Sequence, residues 1–317
     1  MSSLKRSSIS FFAVLFVLSL AVTASAQVVT PQPSQKASVM QRVGVTDITI
    51  TYYRPGVKGR KIWGDPLPGQ EASVKGEATL DNQNVRPKEA VIVPNGHVWR
   101  TGANDATTFV VNDDVLINGQ KLAAGTYSLH TIPTKDEWTI VFNGTANQWG
   151  SFNYDAAKDT LRVKAKPTWV NENQEWLAFT FDPVTDDSAQ VNIRWEKISV
   201  PFTVKVPDVA AATLARLKTT VAGAKADDWL TPLQAGNFLI NNTNAADDQQ
   251  GMAWIEQSIK VKETFRNLAS KANALYKAGK KEEAYAVAEQ AIQKGKADKV
   301  DTSAFEKRVA DMKAGKI

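Results

Sequence analysis

The hydrophobic pattern of the chain changes period once, near position 206. Before that point apolar residues recur at every second position: Ile48, Ile50 and Tyr52 alternate with Thr49 and Thr51, and Leu161, Val163 and Ala165 alternate with Arg162 and Lys164. A period of two puts the apolar set on one face of a strand, and the charged alternates of the second run predict a solvent-facing side. Leu116-Ile117-Asn118-Gly119-Gln120-Lys121-Leu122 places Asn-Gly between two short runs, a hairpin signal because both turn residues accept positive φ. Gly125 to Ile132 and Trp138 to Phe142, separated by Pro133-Thr134-Lys135-Asp136-Glu137, predict a second hairpin. Further short strands are expected at Trp176 to Phe181, Val191 to Trp195 and Val200 to Val206, with a turn at Thr185-Asp186-Asp187-Ser188. Such strands, unbroken by helices, predict an antiparallel β-sandwich or open barrel over residues 27–206. The Gly-, Pro- and charge-rich stretch from Trp63 to Val91 reads as a long surface loop.

From residue 207 the period becomes helical. Val209, Leu214, Leu217 and Val221 form a stripe behind Asp208, which is placed as an N-cap, and a second helix is expected from Asp227 to Ile240. Glu256-Gln257-Ser258-Ile259-Lys260 is echoed by Glu289-Gln290-Ala291-Ile292-Gln293, 33 residues later, close to the period of tetratricopeptide units. Leu268, Ala272, Leu275, Tyr276 and Gly279, then Ala284, Ala288 and Ala291, fill one such unit. Residues 207–317 therefore read as a helical tail of about one and a half tetratricopeptide-like units, which is too few to stand alone and so is expected to lean on the β domain.

The first residues change the picture of where this protein works. Lys5 and Arg6, the apolar run Ile9 to Val22 and Ala24-Ser25-Ala26 have the form of a signal peptide over residues 1–26, cleaved before Gln27. A periplasmic or secreted protein with no transmembrane segment after cleavage is expected. The chain has no cysteine, which excludes disulfides, a thiol nucleophile and thiolate metal sites. The net charge of +5 comes from the tail: Ile255 to Ile317 carries 14 Lys+Arg against 9 Asp+Glu. These charges interleave at helical spacing, so a solvated face is expected and no nucleic-acid partner. With two histidines, His97 and His130, a three-histidine zinc site is impossible. The paired carboxylates sit in turns or at helix starts, and no phosphate-cradling Gly loop occurs. No metal, no cofactor and no catalytic residue is assigned.

What remains is a cationic and aromatic cluster. Arg54, Lys58 and Arg60, with Tyr52, Lys61 and Trp63 beside them, form one segment; Trp99, Arg100 and Asn104 form the other. Guanidinium groups bind carboxylates bidentately and stack on indoles, so Arg54, Lys58, Arg60, Trp99, Arg100 and Asn104 are the candidate ligand-binding residues of a non-catalytic module. The ligand expected is polar or anionic, a glycan or a peptide carboxylate. The same side chains also suit internal architecture, with Arg54 and Arg100 paired to Asp47, Glu89 or Asp105. Trp138, Trp176 and Trp195 fall within strands and are expected in the core, and His130 is read as structural. Two alternatives stand beside the binding module: a hydrolase using His97 with a nearby carboxylate such as Asp105, and a scaffold that captures a protein partner through the helical tail.

Lys58-Gly59-Arg60, Trp99 to Thr107 and Gly125-Thr126-Tyr127 together resemble the bacterial exported family known as domain of unknown function 2911, over roughly Gln35 to Val206. The resemblance implies an exported β-sandwich and supplies no activity. The stretch Pro66 to Val93 departs from the family's compact spacing, as an insertion that would either lid the cluster or occlude it.

Overall fold

The computed structural model describes residues 30–68, 89–242 and 245–317, and residues 34–317 form one compact unit. The signal peptide expected over residues 1–26 and most of the stretch from Pro66 to Val93, expected as an insertion, lie outside the described residues. Two sheets face one another. The larger has the order β1-β2-β5-β8-β9-β10: β1 (Gln35–Val43), β2 (Thr46–Arg54), β5 (Thr107–Val111), β8 (Gly125–Ile132), β9 (Trp138–Asn143) and β10 (Asp159–Ala165). The smaller has the order β11-β12-β6-β7, from β11 (Thr168–Val184), β12 (Ser188–Lys205), β6 (Val115–Ile117) and β7 (Gln120–Leu122). A parallel pair, β3 (Trp63–Gly64) and β4 (Val93–Pro94), brings together the two ends of the stretch that reads as a loop, and those ends join the core. Among the described residues the architecture is a mainly antiparallel sandwich with no closed barrel.

Local chemistry explains the elements. Asn118 and Gly119 take φ 46 and 84, the left-handed pair that a two-residue turn between β6 and β7 requires. In β2 the inward set Thr46, Ile48, Ile50 and Tyr52 is buried, while Thr49, Thr51 and Tyr53 face outward half-buried. β11 and β12 replace the expected short strands with one long hairpin; β12 buries Ala189, Val191, Ile193 and Trp195, switches phase at Glu196, whose φ is 51, and then buries Ile198, Val200, Phe202 and Val204. Phase also places the tryptophans. Leu177 and Phe179 point inward, so Trp176, one position off, stands outside at 39% exposure and does not join the core as expected. Trp99 (4% exposed), Trp138 and Trp195 do, with Trp63 packed on them. Trp99 stacks on Trp195 at 5.6 Å and 18°, and Trp63 meets Trp99, Trp138 and Trp195 edge-on at 5.6, 5.0 and 5.6 Å.

Six helices follow among the described residues. Asp208 caps α1 (Val209–Ala222) by accepting from the Ala211 amide, and Asp228 accepts from Leu230 and Thr231 at the start of α2 (Leu230–Asn242). α1 leans on the sandwich. Val209 and Ala212 pack against its core, and Arg216 shares Asp113 with Thr46 at 3.2 and 2.9 Å. The far side of α1 offers Leu214, Leu217 and Val221 to α2 and to Trp254 of α3 (Ala245–Val261). α4 (Phe265–Lys277) pairs with α5 (Lys281–Ala297), and Phe305 and Val309 of α6 (Ser303–Lys313) complete their apolar seam.

Gly236 and Gly251 let α2 and α3 approach backbone to backbone. A Cβ on Gly236 would lie 2.6 Å from the Gly251 carbonyl oxygen, which cannot swing away. Gly236→Val is expected to destabilise the chain by about 1–3 kcal/mol in urea unfolding followed by helical circular dichroism.

Candidate functional site

The segment Trp99-Arg100-Thr101-Gly102-Ala103-Asn104-Asp105-Ala106-Thr107 leaves the large sheet and returns to it. Trp99 exchanges backbone hydrogen bonds with Thr131 of β8 at 2.8 and 2.9 Å, and Thr107 opens β5. Between them the loop closes on itself. The Thr107 amide donates to the Arg100 carbonyl at 3.1 Å, Thr107 Oγ1 to the Thr101 carbonyl at 2.8 Å, and the Trp99 indole N–H to the Gly102 carbonyl at 3.1 Å. Arg100 Nη1 donates to the Asn104 carbonyl at 2.8 Å. Thr101 and Asn104 take φ 51 and 55 to make these turns. At Gly102 a Cβ would press on Thr107 Oγ1 and the Tyr53 carbonyl, both at 3.1 Å, so only glycine fits without displacing them.

A second loop, residues 144–158, folds over the outward face of β8 and β9 and is tied to the first. The Ala106 amide donates to the Gln148 carbonyl at 2.9 Å and the Gly150 amide to the Asn104 carbonyl at 3.0 Å, bracketing an antiparallel bridge between Asp105 and Trp149. Its far end is held by Asp159, which accepts from Tyr154, Arg162 and Asn143. Beneath the loop lies a buried polar patch. Gln148 Nε2 donates to Ser128 Oγ at 3.1 Å, and Ser128 Oγ bonds His130 Nε2 at 3.1 Å. Burial, then the Arg100 charge, pushes His130 down to about 3, so its ring is neutral near neutral pH. Gln148 Oε1 and His130 Nδ1 are buried with no hydrogen-bond partner among the described residues.

Where the two loops meet the sheet they border an open groove of about 570 Å³. Its floor is the outward face of β1, β2 and β5: Lys36 opposite Tyr53, and Thr51 between Ser38 and Thr108. Its wall is Asn147, Gln148 and Trp149, the last 57% exposed although its backbone is fixed on both sides. Lys36 Nζ lies 5.8 Å over the Tyr53 ring. Burial, then the Asp105 charge and its hydrogen bond, raises the Tyr53 hydroxyl above its ordinary value, so it stays protonated beside Asp105.

The residues expected from the sequence fall around this groove more than in it. Arg54 Nε donates to the Leu177 carbonyl at 2.8 Å, and Arg60 donates to the carbonyls of Val57 and Gly56 at 3.2 and 2.5 Å. Lys58 takes a φ of 48 in that turn, its amide donates to Glu175 at 2.8 Å, and its ammonium lies 5.5 Å over Trp176. Trp99 is enclosed in the core, Arg100 is buried against Phe152, and Asn104 reaches the Ser34 carbonyl at 3.3 Å. The structure thus joins Arg100, Asn104 and Trp99 in one loop and leaves Arg54, Lys58 and Arg60 at the β2–β11 seam. Of the alternative pair, His97 is buried and Asp105 is open to the groove. Lys36, Asn147, Gln148 and Trp149 were not reached by sequence reasoning. The available signal was a tryptophan in the polar turn Asn147-Gln148-Trp149-Gly150, outside any strand alternation.

The sequence pattern of a family described as protein of unknown function (DUF2911) matches residues 34–204, a span that contains both loops and the groove and ends before α1. Neither a curated protein nor a solved structure matches the chain.

Two outcomes follow from this geometry. Arg100→Ala removes the donor that steadies the Asn104 carbonyl and is expected to lower stability by about 1.5–3 kcal/mol in denaturant titration. For His130 the folded value lies below the unfolded 6.5, so the unfolded chain binds the extra proton. The stability this group contributes is complete above pH 6.5 and is lost as pH falls from 6.5 towards 3, by at most about 1.4 kcal/mol per unit. In stability measured across that window, His130→Phe should show a shallower slope than the wild type.

Proposed function

The chain belongs to the DUF2911 family, whose description gives no activity, and we propose that it is a non-catalytic binding module that takes a polar ligand in the groove bordered by Lys36, Tyr53, Asp105, Asn147, Gln148 and Trp149. The observation that carries this reading is Trp149: a residue whose backbone is held on both sides by its neighbours' hydrogen bonds and whose indole is left mostly in water, on the wall of a groove whose volume lies in the range of ligand sites. In this reading Arg100 and Asn104 act by holding the wall in place, and Arg54 and Arg60 by holding the seam. Export to the periplasm or beyond, supported by the signal-like first residues, gives such a module an envelope or extracellular setting.

A second reading places function on the helical tail. Two adjoining cavities of about 470 and 530 Å³ share Asn237, Ser270 and Arg308, making one cleft along α2, α4 and α6. Its amide and cationic lining supports capture of a protein partner.

A thermal-shift screen of the chain from Gln27 separates these readings. A ligand of the groove at a hundredfold over its Kd stabilises by about 2.7 kcal/mol, a shift of several degrees. We expect that shift to vanish in Trp149→Ala while the melting temperature without ligand stays within about 1 °C. A shift that persists in Trp149→Ala and is lost in Arg308→Glu would favour the tail.

A further inference from the structure

We infer that the ligand of this groove is an uncharged carbohydrate, with one face of a pyranose ring against the Trp149 indole and its hydroxyls shared between Asp105 and the polar floor. This rests on the groove being the ligand site. Charge makes the first argument. Among the described residues the groove carries one ammonium, Lys36, and one carboxylate, Asp105, whose charges offset one another, so a ligand of either net charge gains no net attraction to repay its desolvation, a cost a neutral ligand does not carry. The guanidinium groups that would suit an anion donate elsewhere: Arg54 and Arg60 to the seam carbonyls, and Arg100 to the Asn104 carbonyl.

Hydrogen-bond character makes the second. Thr51, Thr108 and Tyr53 present hydroxyls and Asn147 an amide, groups that donate and accept, and Asp105 accepts strongly. A sugar hydroxyl matches both roles, whereas a carboxylate ligand only accepts. Apolar surface makes the third. Trp149 offers a broad indole in an otherwise polar groove, and a pyranose is the polar solute that pairs a rim of hydroxyls with an apolar C–H face.

The test is calorimetric titration of the chain from Gln27 with four tetrasaccharides of uniform length: cellotetraose and N-acetylated chitotetraose as neutral probes, a galacturonate tetramer as anion and deacetylated chitotetraose as cation. At least one neutral probe should bind more tightly than both charged ones, with an affinity that changes little with salt. Trp149→Ala should weaken it about tenfold or more and Trp149→Phe should restore most of the loss, at unchanged melting temperature. Asp105→Asn should weaken it less than Trp149→Ala. Preference for a charged probe, lost in Trp149→Ala, overturns the neutral-sugar assignment and keeps the groove. Silence from all four beside a different ligand class that Trp149→Ala abolishes does the same. Neutral-probe binding indifferent to Trp149→Ala, or no ligand of any class, overturns both.

Discussion

The structure turns on the closure of one loop upon itself. The Thr107 amide reaching the Arg100 carbonyl fixes where the chain leaves and rejoins the large sheet, and every neighbouring contact inherits that geometry. Inward, it commits Trp99 to the stack on Trp195. Outward, it presents the Asn104 carbonyl, which accepts from both Arg100 and Gly150 and so fixes the second loop with Trp149 on it. One carbonyl therefore links the core to the groove wall. A glycine at position 102 and two residues at positive φ are the conformational cost of that closure.

Arginine and tryptophan divide their work in an unexpected way. Their pairing in sequence suggests a ligand hand, yet Arg54, Arg60 and Arg100 spend donors on backbone carbonyls where loops and seams need fixing. A charge-assisted bond of this kind contributes about 1.5–3 kcal/mol, enough to decide whether a short loop has one conformation. The aromatic surface in the groove comes instead from Trp149, which has no basic neighbour in sequence. Neutral His130 lies close enough for the Arg100 charge to help depress its titration, since burial and that charge both oppose a second cation there.

Local chemistry was legible from the sequence where it is local. The Asn118-Gly119 turn, the Asp208 cap, the β8–β9 hairpin and the one-sided charge of β10 each depend on residues within a few positions of one another. Face assignment was harder. Trp176 and Trp195 both sit in strands, but only phase relative to Leu177 and Phe179 sends the first outward. β1 escaped notice because exposed Met40 blurs its alternation. The groove was not legible at all, since Lys36, Tyr53, Asp105 and Trp149 come from four segments that only strand register and the two tied loops bring together.

The most direct measurement of the account is residue-resolved amide hydrogen exchange at Ala106, Thr107 and Gly150. If the loops are closed as described, these three amides exchange slowly and together, at rates near those of the sheet core, while those of the exposed turn at Lys135 and Asp136 exchange fast. Exchange of Ala106, Thr107 and Gly150 as fast as that turn would contradict it, and would leave Trp149 without a fixed wall to stand on.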